Sequence, residues 1–285
     1  MERKINALFT AYQKGRTGRR DFLKKLTLLA GSTAAAMMLL PLLENNTLTA
    51  AERKRKIKKV LAEAVTYPAE PGEMKGYLAH PAKGKKFPAV IVIQEIFGLN
   101  EHIRDVTRRM AGEGFLALAP DALSPLGGTP EDTDKARQMM GQLDSTQTVH
   151  NYVAAVKYLK THPLSNGKVG CTGFCWGGAM TNQVAVNSPD LDAAVPYYGS
   201  QPKAEEVPKI KAPLLIHYAE NDQRINAGIE AYEKALKENG KEFHSFVYPG
   251  TGHGFNNDTA PQRYNEAGAK LAWSRTIAFF REKLK

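Results

Sequence analysis

From about residue 60 onward, short apolar runs alternate with longer stretches in which apolar residues recur every three or four positions. Residues 89–93, Ala-Val-Ile-Val-Ile, form a continuous run of the kind a strand shows when both its faces are buried. Residues 101–113 set Ile103, Val106 and Met110 along one helical face, and Gly112 and Gly114 close it. Further strands are predicted over 63–67, 74–80, 115–119, 168–173, 193–197, 213–218 and 242–248, the first two joined by a Pro71-Gly72 turn. Helices are predicted over 149–162, 180–186, 229–239 and 267–284. This alternation predicts one α/β domain over 62–285, with a mostly parallel sheet covered by helices on both faces. In such sheets chemistry gathers in the loops at the carboxyl ends of the strands.

The N-terminal residues break the pattern. Arg19-Arg20-Asp21-Phe22-Leu23-Lys24 precedes an apolar run over 26–43, whose polar interruptions, Thr27, Ser32 and Thr33, are small. The hexapeptide and its sequel resemble a twin-arginine export signal. The resemblance implies an exported, periplasmic protein engaged by the export machinery through Arg19 and Arg20. Residues 1–51 then form the signal segment, with Thr49-Ala50-Ala51 as a cleavage pattern, and 52–61 a charged linker. Two other outcomes remain open: the 18-residue run stays as a membrane anchor, or the segment is a basic amphipathic helix packed on the domain.

Charge sharpens this division. The net +10 invites a nucleic-acid or membrane reading, yet residues 1–59 carry 14 Lys/Arg against 4 Asp/Glu, and the remainder carries 25 of each. The main domain therefore has no basic footprint for nucleic acid, and membrane contact is expected only through the N-terminal segment. Two cysteines, Cys171 and Cys175, are too few for a disulfide framework or a four-cysteine zinc site. An extended chain separates them by roughly 13 Å, so two free thiols are expected.

The stretch Gly173-Phe174-Cys175-Trp176-Gly177-Gly178 follows a predicted strand and precedes a helix, the setting of a nucleophile elbow. Small neighbours let a sharp turn hold the reactive atom above the sheet, and the helix N-terminus favours a thiolate there. On these residues alone Cys175 is equally readable as a buried structural cysteine. An elbow nucleophile needs an acid and a histidine further along the chain. Asp222, in Ala219-Glu220-Asn221-Asp222, follows one strand and is favoured over Glu220 because its side chain is shorter; a turn aspartate bonding its own backbone is the alternative. His253, in Gly252-His253-Gly254-Phe255, follows the next. His217 reads as a satisfied core residue, whereas His80, His102, His150, His162 and His244 read as surface positions. Gln94-Glu95-Ile96-Phe97-Gly98 follows the buried run 89–93 and nominates the amides of Ile96 and Trp176 as oxyanion donors. Glu95 is either a surface loop carboxylate or a proton acceptor and gate for the thiol.

Taken together, 90–100, 165–178, 220–222 and 252–255 resemble the dienelactone hydrolase family of the α/β-hydrolase fold. The resemblance spans about 62–284 and implies a Cys175 nucleophile, a His253 base, an orienting Asp222, a thiol-controlling Glu95, and no metal or organic cofactor. Lactone-cleaving members hold the substrate carboxylate with two arginines. In this chain Asn257 stands at one of those positions, and Arg137 is the nearest arginine to the other. The reading is an ester or lactone hydrolase acting on a small molecule, with a non-catalytic binding protein or a Cys171/Cys175 redox protein as alternatives. For export, Arg19-Arg20→Lys-Lys is expected to trap the protein in the cytoplasm; cell fractionation checks it, and unchanged distribution counts against the signal.

Overall fold

The computed structural model describes residues 8, 11–12, 17–30 and 59–285. A first helix, α1 (Arg19–Ala30), is followed by β1 (Val60–Pro68), β2 (Glu73–Pro81), β3 (Phe87–Ile93), α2 (Glu101–Gly112) and β4 (Leu116–Pro120). Next come α3 (Thr133–Met140), α4 (Ser145–Thr161), β5 (Ser165–Phe174), α5 (Trp176–Asn187) and β6 (Ala193–Tyr197). The chain ends through β7 (Leu214–Asn221), α6 (Gln223–Asn226), α7 (Ile229–Glu238), β8 (Phe243–Gly252) and α8 (Glu266–Lys283). The strands form one 8-stranded sheet in the order β1-β2-β4-β3-β5-β6-β7-β8. β2 runs antiparallel to both its neighbours, and the pairings from β4 through β8 are parallel. The first strand takes in Val60 and Leu61, which the sequence reading assigned to the linker.

Side-chain alternation along β3 divides the core in two. Ala89, Ile91 and Ile93 face one layer, with Tyr152 and Leu159 of α4, Val184 of α5 and Leu236 of α7. Val90 and Val92 face the other, with Ile103, Val106 and Met110 of α2 and Ala272, Ile277 and Phe280 of α8. The predicted apolar stripe of α2 is thus the one that packs, and each such buried side chain stabilises by roughly 1.5–3 kcal/mol. Asn100 starts this helix by accepting the Ile103 amide at 3.1 Å.

Where α5 meets the sheet, backbones touch without side chains between them. A Cβ added at Gly173 would lie 2.2 Å from the Gly177 carbonyl oxygen, and one at Gly177 would lie 2.4 Å from that of Gln94. One at Gly178 would lie 2.3 Å from the Tyr197 oxygen, and one at Gly199 would lie 2.1 Å from the Gly178 carbonyl carbon. The glycines therefore let the start of α5 sit directly on the ends of β3 and β6.

Strand register then sets the loops. Ile93 pairs with Gly173 and Phe174 with Tyr197, so Glu95, Cys175 and Tyr198 leave three neighbouring strands at one level. At the far edge a bulge brings Asn221 opposite Gly252, which makes Asp222 and His253 the next residues out of adjacent strands.

In α1, Phe22 and Leu26 are buried, and Phe22 stacks on Tyr12 with ring centroids 4.5 Å apart. Among the described residues no helix is long and apolar enough to cross a membrane. The rest of the apolar run, 31–43, the cleavage pattern at 49–51 and most of the charged linker, 52–58, lie outside the described residues.

Gly177→Ala is expected to cost about 3 kcal/mol or more, because its methyl group meets two main-chain oxygens that cannot both retreat. Thermal unfolding checks it, with a melting temperature about 10 °C lower.

Candidate active site

β5 ends in a sharp turn. Cys175 holds φ 57° and ψ −114°, an uncommon conformation for a residue with a side chain. Its amide donates to the Tyr197 carbonyl at 3.1 Å, while its own carbonyl accepts from the Gly178 and Ala179 amides. The elbow is thereby tied to both β6 and the first turn of α5. Trp176 is the first residue of that helix, so its amide has no acceptor within the helix, and it donates toward the Cys175 thiol.

The thiol is held in its protonated form. Burial raises its pKa most, the Trp176 amide opposes this, and the negative charge of Glu95 adds to the rise. Glu95 is itself buried and its pKa is raised, chiefly by that burial. Opposing the rise are the charge of His102, a hydrogen bond from Asn257, and the charges of His253 and Arg263. The Asn257 amide donates to Glu95 Oε2 at 2.7 Å. Its carbonyl oxygen accepts from the Thr259 amide and hydroxyl at 3.0 and 2.7 Å. Asn257 is thus committed on both ends to fixing Glu95.

On the other side of the elbow, His253 Nδ1 donates to Asp222 Oδ2 at 2.5 Å. Asp222 is buried, and its second oxygen takes the Ile225 amide of α6 at 3.5 Å, which orients the carboxylate. His253 Nε2 is sealed from solvent and has no hydrogen-bond partner among the described residues, so the imidazole has an unengaged nitrogen at the site. The edge of the sheet therefore presents a thiol, a carboxylate-oriented imidazole and a second, separate carboxylate.

Tyr198 was not singled out by the sequence. It lies on the same level as Cys175, with φ 36°, and its ring meets the His253 ring edge-on at 5.1 Å and Phe255 at 5.4 Å. Burial, together with the charges of Glu95 and Cys175, keeps this phenol neutral, and the Asn256 amide points toward its hydroxyl. Arg224 was also missed; its positive charge, two residues past Asp222, lowers the pKa of Cys175. No signal in the one-dimensional pattern marks these residues, because strand register brings them in.

Ile96 sits in the loop after β3, half-buried, beside Glu95. Arg137 is exposed in the last turn of α3 and makes no hydrogen bond or ion pair among the described residues. His217 is a buried core histidine with both ring nitrogens satisfied, by Tyr248 at 2.8 Å and Thr276 at 3.0 Å. His102 is a correction: it was expected on the surface and is 7% exposed. The first turn of α2 faces the loop after β8, where Asp258 Oδ1 lies 3.4 Å from His102 Nδ1, an ion-pair distance at which that nitrogen makes no hydrogen bond among the described residues. Both cysteines are free thiols. Cys171 is fully buried against Thr181, and burial pushes its thiol up to about 12.

The sequence profile of the dienelactone hydrolase family matches residues 74–284. The chain belongs to the dienelactone hydrolase family. A protein of Methylorubrum extorquens, provisionally named carboxymethylenebutenolidase, is 34% identical over 78% of this chain and 81% of its own length. A Salmonella typhi protein of the same provisional name is 35% identical, covering 78% of this chain and 87% of its own. The crystal structure of a provisionally named dienelactone hydrolase from Klebsiella pneumoniae superposes with a TM-score of 0.71. It is 31% identical and covers 78% of this chain and 99% of its own. The architecture is accordingly the α/β-hydrolase fold, and the chain is a dienelactone hydrolase-like hydrolase. Asn257, expected from the resemblance at a position where lactone-cleaving members carry an arginine, binds Glu95 in this structure.

Since Glu95 raises the thiol's pKa, removing its charge must lower it. Glu95→Gln is expected to shift the pH of half-maximal alkylation of Cys175 by iodoacetamide downwards. Following that alkylation from pH 6 to 10 by mass spectrometry checks the sign (roughly the span around an ordinary thiol).

Proposed function

We propose that this hydrolase cleaves a small-molecule ester or lactone through a covalent intermediate on Cys175. The observation that carries the reading is the pairing of His253 with Asp222 beside a strained cysteine at the start of α5. Asp222 fixes the imidazole so that Nε2 faces the site as a base. The thiol proton passes to His253 as Cys175 Sγ attacks the substrate carbonyl, and a tetrahedral oxyanion forms. The amides of Ile96 and Trp176 are the donors suited to hold it. The carbon–oxygen bond then breaks, and the leaving alkoxide takes the proton from His253. In a lactone that alkoxide remains part of the same molecule. Water, deprotonated by His253, attacks the acyl-thiol, and the carboxylic acid leaves as the thiol is restored.

Glu95 suits a resting-state role. Its charge keeps the thiol protonated and unreactive until a substrate alters the local field. This differs from a redox function, for which the buried Cys171 offers no accessible partner. The hexapeptide at 19–24 supports action outside the cytoplasm, in the periplasm.

The test is a panel of esters and lactones, with and without a free carboxylate. Cys175→Ala is expected to lower kcat/KM on every accepted substrate by about four orders of magnitude or more. Retention of wild-type turnover would remove Cys175 as the nucleophile.

A further inference from the structure

The loop that follows β8 carries His253 at one end and two polar residues, Asn257 and Asp258, four and five positions later. These neighbours reach different parts of the other side of the site. Asn257 donates to Glu95 Oε2 at 2.7 Å. Asp258 lies 3.4 Å from His102 Nδ1 and 3.1 Å from Arg109 Nη1, both on α2. Arg109 is in turn held by Asp105 at 2.8 Å, one turn back along the same helix. The loop that bears the base is therefore fastened to the helix that begins just after Glu95.

His102 is the buried member of this fastening, and a buried imidazole is costly unless it has a partner, for which Asp258 stands 3.4 Å away. It is the first among the groups that hold Asp258 ionised, down to about 2. It is also the first among those that favour the charged form of Glu95. One side chain thus acts on the loop of His253 mechanically and on Glu95 electrically.

We propose that His102 is a positioning residue for the reaction: through Asp258 it locks the His253 loop onto α2, and so keeps Asn257 against the Glu95 carboxylate. Two pairs of histidine and aspartate then have different tasks. His253 and Asp222 handle the proton, while His102 and Asp258 fix the carboxylate that restrains it. The groups facing Glu95 come from every neighbouring element: His102 from α2, His253, Asn257 and Arg263 from the loop after β8, Cys175 from the elbow, and Tyr198 from the end of β6.

The inference rests on the reading of Cys175 as nucleophile, and the experiment separates the two. Below the thiol's own titration, the rate of Cys175 alkylation by iodoacetamide follows its thiolate fraction. Ionisation of Glu95 puts a break in that pH profile, because the charged carboxylate disfavours the thiolate. In the full-length protein, His102→Gln is expected to move the break upwards by about one pH unit. It is also expected to lower kcat about tenfold on an accepted ester, with KM changed less than twofold.

In a Glu95→Gln background the break is absent, and His102→Gln is expected to add no further loss of kcat. A break that stays in place, or an equal fractional loss of kcat in both backgrounds, would reduce His102 to a structural residue. Should His102→Gln fail to fold, Asp258→Asn cuts the same link from the other side, and the readout is then the loss of kcat, expected in the wild-type background and absent in the Glu95→Gln background. Turnover by Cys175→Ala would overturn the nucleophile reading, while the alkylation break, measured without substrate, would still decide the role of His102.

Discussion

The structure depends on backbone meeting backbone where α5 leaves the sheet. Gly173, Gly177, Gly178 and Gly199 bring three chain segments to distances that a single Cβ would close. That contact fixes the start of α5 over the ends of β3 and β6, and the height of the elbow follows from it. Once the elbow is fixed, parallel register carries the rest. Glu95, Cys175 and Tyr198 emerge side by side from neighbouring strands, and one bulge sets Asp222 beside His253. The glycines are therefore packing residues first, and the chemistry rests on their packing.

Two carboxylates stand near one thiol, and their surroundings give them opposite work. Asp222 receives an imidazole proton and a backbone amide, so its charge is spent on orientation. Glu95 receives one neutral amide in a buried loop, and burial dominates its behaviour. Its charge reaches outward, to Cys175 and to the phenol of Tyr198. In a low-dielectric site such fields act over longer distances than they would in water.

Much of this was legible in the chain. The run 89–93 and the stripe Ile103, Val106, Met110 are periodic signals, and the sheet and its helical covers follow from them. The three loops bearing Cys175, Asp222 and His253 could be found because each follows a strand and the order of residue types is restrictive. What was hidden is hidden for a physical reason. The burial of His102 depends on Asp258, more than a hundred and fifty positions away, and an isolated histidine in a charged helical turn resembles a surface residue. Tyr198 looks like the last residue of an apolar strand until its register with the elbow is known. Asn257 reads as a lost arginine, and only the fold reveals that its amide has a different customer in Glu95.

The backbone at Cys175 carries a further consequence. A serine there would bear the same φ of 57° and meet the same neighbours, so the turn is indifferent to the choice between sulfur and oxygen. Preference for sulfur comes instead from the adjoining loop. A thiol gives up its proton in a range that a nearby carboxylate can move, and a hydroxyl does not. The suitability of sulfur at position 175 is in this sense recorded at position 95 as much as at 175 itself.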